Sequence, residues 1–428
     1  MQSSVTMPTI AVGWALLSTR LRTAIVGMTA IALSLPIAWI SLTKLLVFGA
    51  ALGVLVAGLW RGNRQADLRQ LPSLRWVLMA LALFALSLLW TSAESEVAWA
   101  SLVKHGKLLV PFLLVMLIRS VCEARLAIGL FVLGQAGLIV LSWIEATGLP
   151  MQWLFTRAWG VIPGVVFTSY LDQSIIFAAS AAVLWHLRGE GFGPVWLMVA
   201  LALSMLANVV FLLPGRTGYL VVILVLTLAA MWALPQRWRL AAFLVIPLLT
   251  LVALWFGSPK IQARLSLVYT ESQAFSVTSN PGSSAGFRLH AWKRSLQAIG
   301  EEPGKGFGVG GWTATVRRLE GPTADEVFGT GKMSNPHQEY LLWGVELGLV
   351  GLLLLPALVV ALVRDFGRFA PPIARAGQSL ALAMALACLF NSSLYDGLIG
   401  DYFCVLLGLL LAYGLALQNG QIRDSTTL

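Results

Sequence analysis

The chain has 428 residues, of which 58% are hydrophobic and only 11% charged, with a formal net charge of +10. Soluble domains carry about 25% charged residues, so a water-soluble globular fold is excluded. The basic excess is read as loop arginine holding apolar helices in their orientation, and no nucleic-acid partner is expected.

Apolar runs of about 17 to 25 residues recur along nearly the whole length, enough to cross a hydrocarbon core of about 30 Å. The short alternating segments of a membrane β-barrel are absent. The fold class is therefore an all-α polytopic membrane protein. The first run lacks a small-residue cleavage site before it and is read as a retained helix. In chain order, twelve transmembrane helices are expected near residues 23–40, 43–60, 76–92, 106–118, 126–144, 173–187, 194–213, 217–234, 240–256, 338–363, 377–394 and 402–417.

Arginine is sorted unevenly between the loops. One set carries Arg20, Arg22, Arg61, Arg64, Arg69, Arg75, Arg119, Arg125, Arg188, Arg237, Arg239, Arg364, Arg368, Arg375 and Arg423. The opposite short loops carry only Lys44, Lys104, Lys107, Arg157 and Arg216, together with Glu94, Glu96, Glu145 and Asp172. The positive-inside rule then puts both termini in the cytoplasm. Three regions follow: transmembrane helices one to nine over 1–256, an outer hydrophilic loop over 257–336, and helices ten to twelve over 337–428.

Within the outer loop, RLHAWKRSLQAI (288–299) spaces Leu289, Trp292, Leu296 and Ile299 as one face of an amphipathic helix. PGKGFGVGGW (303–312) is too rich in glycine for a helix and is read as a structured loop. Its Gly304, Gly306, Gly308 and Gly310 follow no strand and precede no GK[ST], so they do not form a nucleotide loop. Cys122, Cys388 and Cys404 lack metal-ligand spacing, and none lies in the outer loop to form a disulfide there. No D-x-D pair or His/Cys/Asp cluster with metal-ligand spacing occurs, so neither a metal nor another cofactor is expected.

Three residues stand out on the outer side. His337, one of four histidines, follows Asn335-Pro336 at the lip of an apolar run. With Asn335 as N-cap and Pro336 at the first helical position, His337 falls in the first turn of span ten. There the helix dipole favours neutral imidazole, which can accept a proton as a general base must. An interfacial histidine bonded to lipid or loop fits the position equally. Arg216 lies in the tight turn of LLPGRTGYL (212–220), on the side that otherwise avoids arginine. It suits a bidentate phosphate contact, or it snorkels at a helix start. Arg288 opens the amphipathic helix and alone would read as part of a solvated face or as a lipid-headgroup contact. Lys104 and Lys107, clustered with His105, read the same way, and Asp172 can cap its helix or pair with arginine. His290 and Glu339 complete the set of secondary candidates.

SNPHQEYLLWGVELGLVG (334–351), PGRTGYL (214–220) and RLHAWKRSL (288–296) with the glycine loop behind it resemble, in order and topology, the O-antigen ligase and polymerase superfamily. The resemblance spans essentially the whole chain. It implies a GT-C-like glycosyltransferase of the Gram-negative inner membrane that works at the periplasmic face. Its donor would be an O-antigen glycan on undecaprenyl diphosphate, and its acceptor a sugar hydroxyl of lipid A–core, with membrane lipids around both. His337 would be the base, and Arg216 and Arg288 would hold the diphosphate. A single dominant outer loop favours the ligase. An O-antigen polymerase and a protein O-oligosaccharyltransferase are the alternatives within the superfamily, and a small-anion transporter is the alternative outside it.

Overall fold

In a bilayer, backbone N–H and C=O groups have no water to bond, so apolar runs satisfy them within helices. The computed structural model describes residues 9–56, 68–149, 162–278, 283–328 and 333–425, and no strand occurs among them. Arg61, Arg64 and Arg157 lie outside the described residues. The first half of the chain forms α1 (Thr9–Ala32), α2 (Ile37–Val56), α3 (Pro72–Ser87), α4 (Ser95–His105), α5 (Val110–Leu117), α6 (Val121–Ala146), α7 (Tyr170–Leu187), α8 (Val195–Phe211), α9 (Arg216–Ala233) and α10 (Arg239–Gly257). Then come α11 (Pro259–Thr278), α12 (Ser284–Glu301), α13 (Trp312–Glu320) and α14 (Ala324–Phe328), and finally α15 (Glu339–Phe366), α16 (Pro371–Phe390) and α17 (Gly397–Ser425).

Among the described residues, eight stretches are long and apolar enough to cross a membrane: α2, the joined α4 and α5, α6, α9, α10, α15, α16 and most of α17. The other predicted spans fall on α1, α7 and the shorter apolar helices α3 and α8. Two of the boundaries that differ from expectation have a local cause. The first span does not run from 23 to 40: α1 ends at Ala32, and α2 starts directly after Pro36. Proline restricts the residue before it and cannot donate to the helix ladder. The fourth span is longer than 106–118, because a 3₁₀ turn at Gly106–Leu109 carries α4 straight into α5.

Burial follows composition. Residues 398–415 of α17 are all buried by their neighbours, whereas only Ala242 and Leu254 of α10 are buried. A helix that is apolar all round suits either place, a bundle centre or a lipid-facing rim. Polar side chains fasten the centre: Gln135 Nε2 donates to Ser34 Oγ at 2.8 Å, and Ser180 Oγ donates to Gln135 Oε1 at 3.0 Å.

The glycine loop docks the segment between α12 and α13 onto the bundle. Gly348 breaks α15 with φ 69° and ψ −154°, which removes helical donors from the carbonyls one turn earlier. The loop supplies replacements: Phe307 N–H donates to Val345 O at 2.8 Å, and Gly308 N–H to Glu346 O at 2.9 Å. In return Leu349 N–H donates to Pro303 O at 2.8 Å. At Gly306 (φ 65°) a Cβ would stand 2.6 Å from both Gly348 N and Val345 O. These glycines therefore serve backbone-to-backbone contact. Glu346 seals the joint, accepting from Gly310 N–H at 2.7 Å and lying 3.1 Å from His105 Nε2.

Candidate active site

Arg216 is the first residue of α9, behind the Pro214-Gly215 turn. A Cβ at Gly215 or Gly218 would come within 2.1 or 2.4 Å of Ser174 Oγ, so these glycines let α9 press against α7. That packing fixes Arg216 at the helix end. Its Nη1 lies 3.5 Å from Glu271 Oε2 on α11.

Arg288 sits in the second turn of α12, which Ser283 caps by accepting from Gly286 N–H at 3.1 Å. Its Nη2 donates to Asn391 Oδ1 at 3.3 Å, and Asn391 Nδ2 donates to Thr217 Oγ1 at 2.9 Å. One buried amide thus ties Arg288 to the residue beside Arg216. Burial lowers the pKa of the Arg288 guanidinium; Tyr170 raises it, Arg216 lowers it further, and Asp396 raises it.

His337 is not in the first turn of its helix. Gln338 is the N-cap, accepting from Leu341 N–H at 2.5 Å, and α15 begins at Glu339. His337 has φ 52°, the one positive value at a non-glycine among the described residues. The reason lies in Asn335, whose Oδ1 accepts from His337 N–H at 2.9 Å in a tight local turn. Asn335 is thus a turn former rather than a helix cap. Trp292 Nε1 donates to Pro336 O at 3.1 Å, fastening this turn to α12, and the Phe287 ring meets the imidazole edge-on at 6.3 Å. Burial first and the Arg288 charge second push the imidazole down to about 4, so it is neutral at neutral pH.

The loop 391–396 between α16 and α17 forms the remaining wall. Asn335 Nδ2 donates to Asp396 Oδ1 at 3.3 Å, so one asparagine holds both His337 and Asp396. Lys107 Nζ donates to Asp396 O at 2.6 Å, and Lys104 Nζ stands 4.0 Å above the Tyr395 ring. Burial and then Asp172 push the Asp396 carboxyl up to about 6, against the opposing pull of Lys107 and Lys104. Asp172 does not cap α7; Ser169 does, and Asp172 accepts from Thr168 Oγ1 at 3.2 Å.

Two candidates serve the scaffold. Glu339 is wholly buried and accepts from Leu394 N–H at 3.1 Å, Tyr395 N–H at 3.0 Å and Trp343 Nε1 at 3.0 Å, which fixes the 391–396 loop. His290 Nε2 lies 2.8 Å from Glu320 Oε2, which also accepts from Arg294 Nε at 2.7 Å, so it pins α12 to α13. Asn391 and Asp396 were not singled out in the sequence. The polar stretch NSSLYD (391–396), set between two apolar spans on the His337 side, is the feature that identifies them.

The geometry collects two guanidinium groups, a neutral imidazole, a carboxyl and two ammonium groups at one end of the bundle. Such a set can bind a polyanion and receive a proton beside it. Among the described residues, no three His, Cys, Asp or Glu side chains cluster as a metal site. No curated protein matches the chain. Residues 200–355, which carry Arg216, Arg288, His337 and the glycine loop, match the family model described as O-antigen ligase, and this supports membership of the O-antigen ligase/polymerase superfamily.

Proposed function

We propose that the protein transfers O-antigen glycan from undecaprenyl diphosphate to a sugar hydroxyl of lipid A–core at the periplasmic face of the inner membrane. The observation that carries this is the Asn391 bridge from Arg288 to Thr217, with His337 electrostatically within reach of Arg288. It joins a phosphate-grade cation pair to a proton acceptor. The family match supports glycosyl transfer over small-anion transport, the other class the sequence allows.

In this reading Arg216 and Arg288 neutralise the donor diphosphate. His337 takes the proton of the acceptor hydroxyl as its oxygen attacks the anomeric carbon. The bond from that carbon to the diphosphate oxygen breaks, and undecaprenyl diphosphate leaves with the electron pair. At its resting value His337 is a weak base. A bound diphosphate supplies negative charge that offsets Arg288 and raises the imidazole towards neutrality, when a base is needed. Lys107 holds the 391–396 loop, and with it Asp396, beside Asn335 and His337. Residues 1–256 and 337–428 form the membrane part and 257–336 the periplasmic part, with cytoplasmic termini, as the arginine distribution supports.

The test is incubation of purified protein with lipid-linked O-antigen and lipid A–core, followed by a gel. Ligase activity gives a lipid A–core band shifted by the glycan. Longer lipid-linked chains with unshifted lipid A–core would instead mark a polymerase.

A further inference from the structure

We propose that Glu271 is an internal anion that occupies the diphosphate site in the empty protein, and that the donor must displace it, releasing α11. This rests on the reading that Arg216 and Arg288 hold the donor diphosphate.

The Glu271 carboxylate makes two contacts, on two different elements. Its Oε2 lies 3.5 Å from Arg216 Nη1, and the same oxygen accepts from Ala285 N–H at 3.0 Å. Ala285 is in the first turn of α12, the helix that presents Arg288 one turn later. A guanidinium and a helix N-terminal amide both favour anions. The side chain thus satisfies the groups a phosphate would engage, while carrying only one negative charge. At 3.5 Å the pairing with Arg216 is loose beside the bidentate contact that a phosphate can make.

The element bearing Glu271 is lightly held. Among the described side chains of α11 only Ile261 is buried, and Leu267 and Tyr269 remain 40% and 65% exposed. The helix packs chiefly on α10 and α12. Lys260 at its start bonds Leu212 O, which anchors the end nearer α10, and Glu271 ties the other half to Arg216 and to Ala285 of α12. Exchange of a carboxylate for a diphosphate therefore costs little packing. It also couples donor arrival to opening of the α11 side of the site.

A brace and a plug make opposite predictions. If Glu271 only orients Arg216, removing it weakens anion binding; if it competes for Arg216, removing it strengthens binding. The probe is farnesyl diphosphate, a sugar-free polyprenyl diphosphate, titrated into the full chain in detergent. Glu271→Gln and Glu271→Ala should each bind it about tenfold more tightly than the wild type. Adding Arg216→Ala should abolish that gain, and the KM for lipid-linked donor should fall in the single variants without a matching fall in kcat. Hydrogen exchange over 259–278 of the wild type should quicken on saturation with the probe. Unchanged or weaker binding by both Glu271 variants, with Arg216→Ala weakened, would overturn the plug and leave the diphosphate site standing. Unchanged exchange would overturn the release of α11. Binding unaffected by Arg216→Ala would remove the diphosphate reading itself.

Discussion

Exchanging His337 for asparagine separates the chemistry of this residue from its backbone. At φ 52° most side chains are strained, but asparagine visits this region readily. Alanine meets the left-handed cost without the tolerance of this region that asparagine and histidine share. His337→Asn should therefore melt like the wild type, while His337→Ala should be less stable. Both should lose roughly 10²- to 10⁴-fold in transfer rate, the usual scale for a general base. The pH profile gives a second reading. The interval from the ordinary 6.5 down to about 4 disfavours imidazolium by roughly 3 kcal/mol. Because the folded value is lowered, the free protein holds neutral imidazole at every pH above about 4 and loses it only below. In a gel assay of initial rates, kcat/KM should then be flat through neutrality and fall as the pH drops through about 4. At saturating donor the same limb in kcat should move upward, since the diphosphate offsets Arg288. A limb near 6 that survives in His337→Asn belongs to Asp396, whose carboxyl is pushed up to about 6. Wild-type turnover in His337→Asn, or an acid limb near 4 that survives the substitution, would refute the base assignment.

Arg216→Lys should impair transfer despite keeping the charge, because a point charge cannot reproduce planar bidentate contact; near-normal product from both Arg216→Ala and Arg288→Ala would remove the diphosphate role. Gly306→Ala forces a Cβ to 2.6 Å from Val345 O at φ 65° and should unseat the glycine loop. The left-handed cost of about 1–2 kcal/mol and weakened loop hydrogen bonds of about 1 kcal/mol each should lower the thermal midpoint by several degrees. Cysteine placed at the exposed Lys293 should react with an impermeant thiol reagent in intact spheroplasts, and cysteine at the exposed Arg237 only after the membrane is broken. The reverse pattern would invert the proposed orientation.

Some of this protein is written in one dimension. Apolar runs long enough for a bilayer must become helices, because no other local structure satisfies their backbone, so the helical elements could be read directly. The arginine of a tight turn, the histidine at an apolar lip and the amphipathic spacing of 288–299 were visible for the same reason: each is a local departure from the pattern around it. The helix start at Glu339 was not, since Asn335-Pro336 serves as a good cap by local rules. Asn335 instead turns the chain at His337 because its amide also reaches Asp396, 61 residues away. Long-range pairing likewise decided the candidates that spacing left open. Glu339 lies two residues from His337, yet it turns to the loop 391–396; His290 lies two from Arg288, yet it turns to Glu320. His290 and Arg288 are two apart on one helix and so point in different directions, while His337 lies in a turn outside the helix that Glu339 opens, so proximity in sequence says little about a shared site. Asn391 acquires its role only where α16 ends beside α9 and α12, a meeting set by how the helices pack.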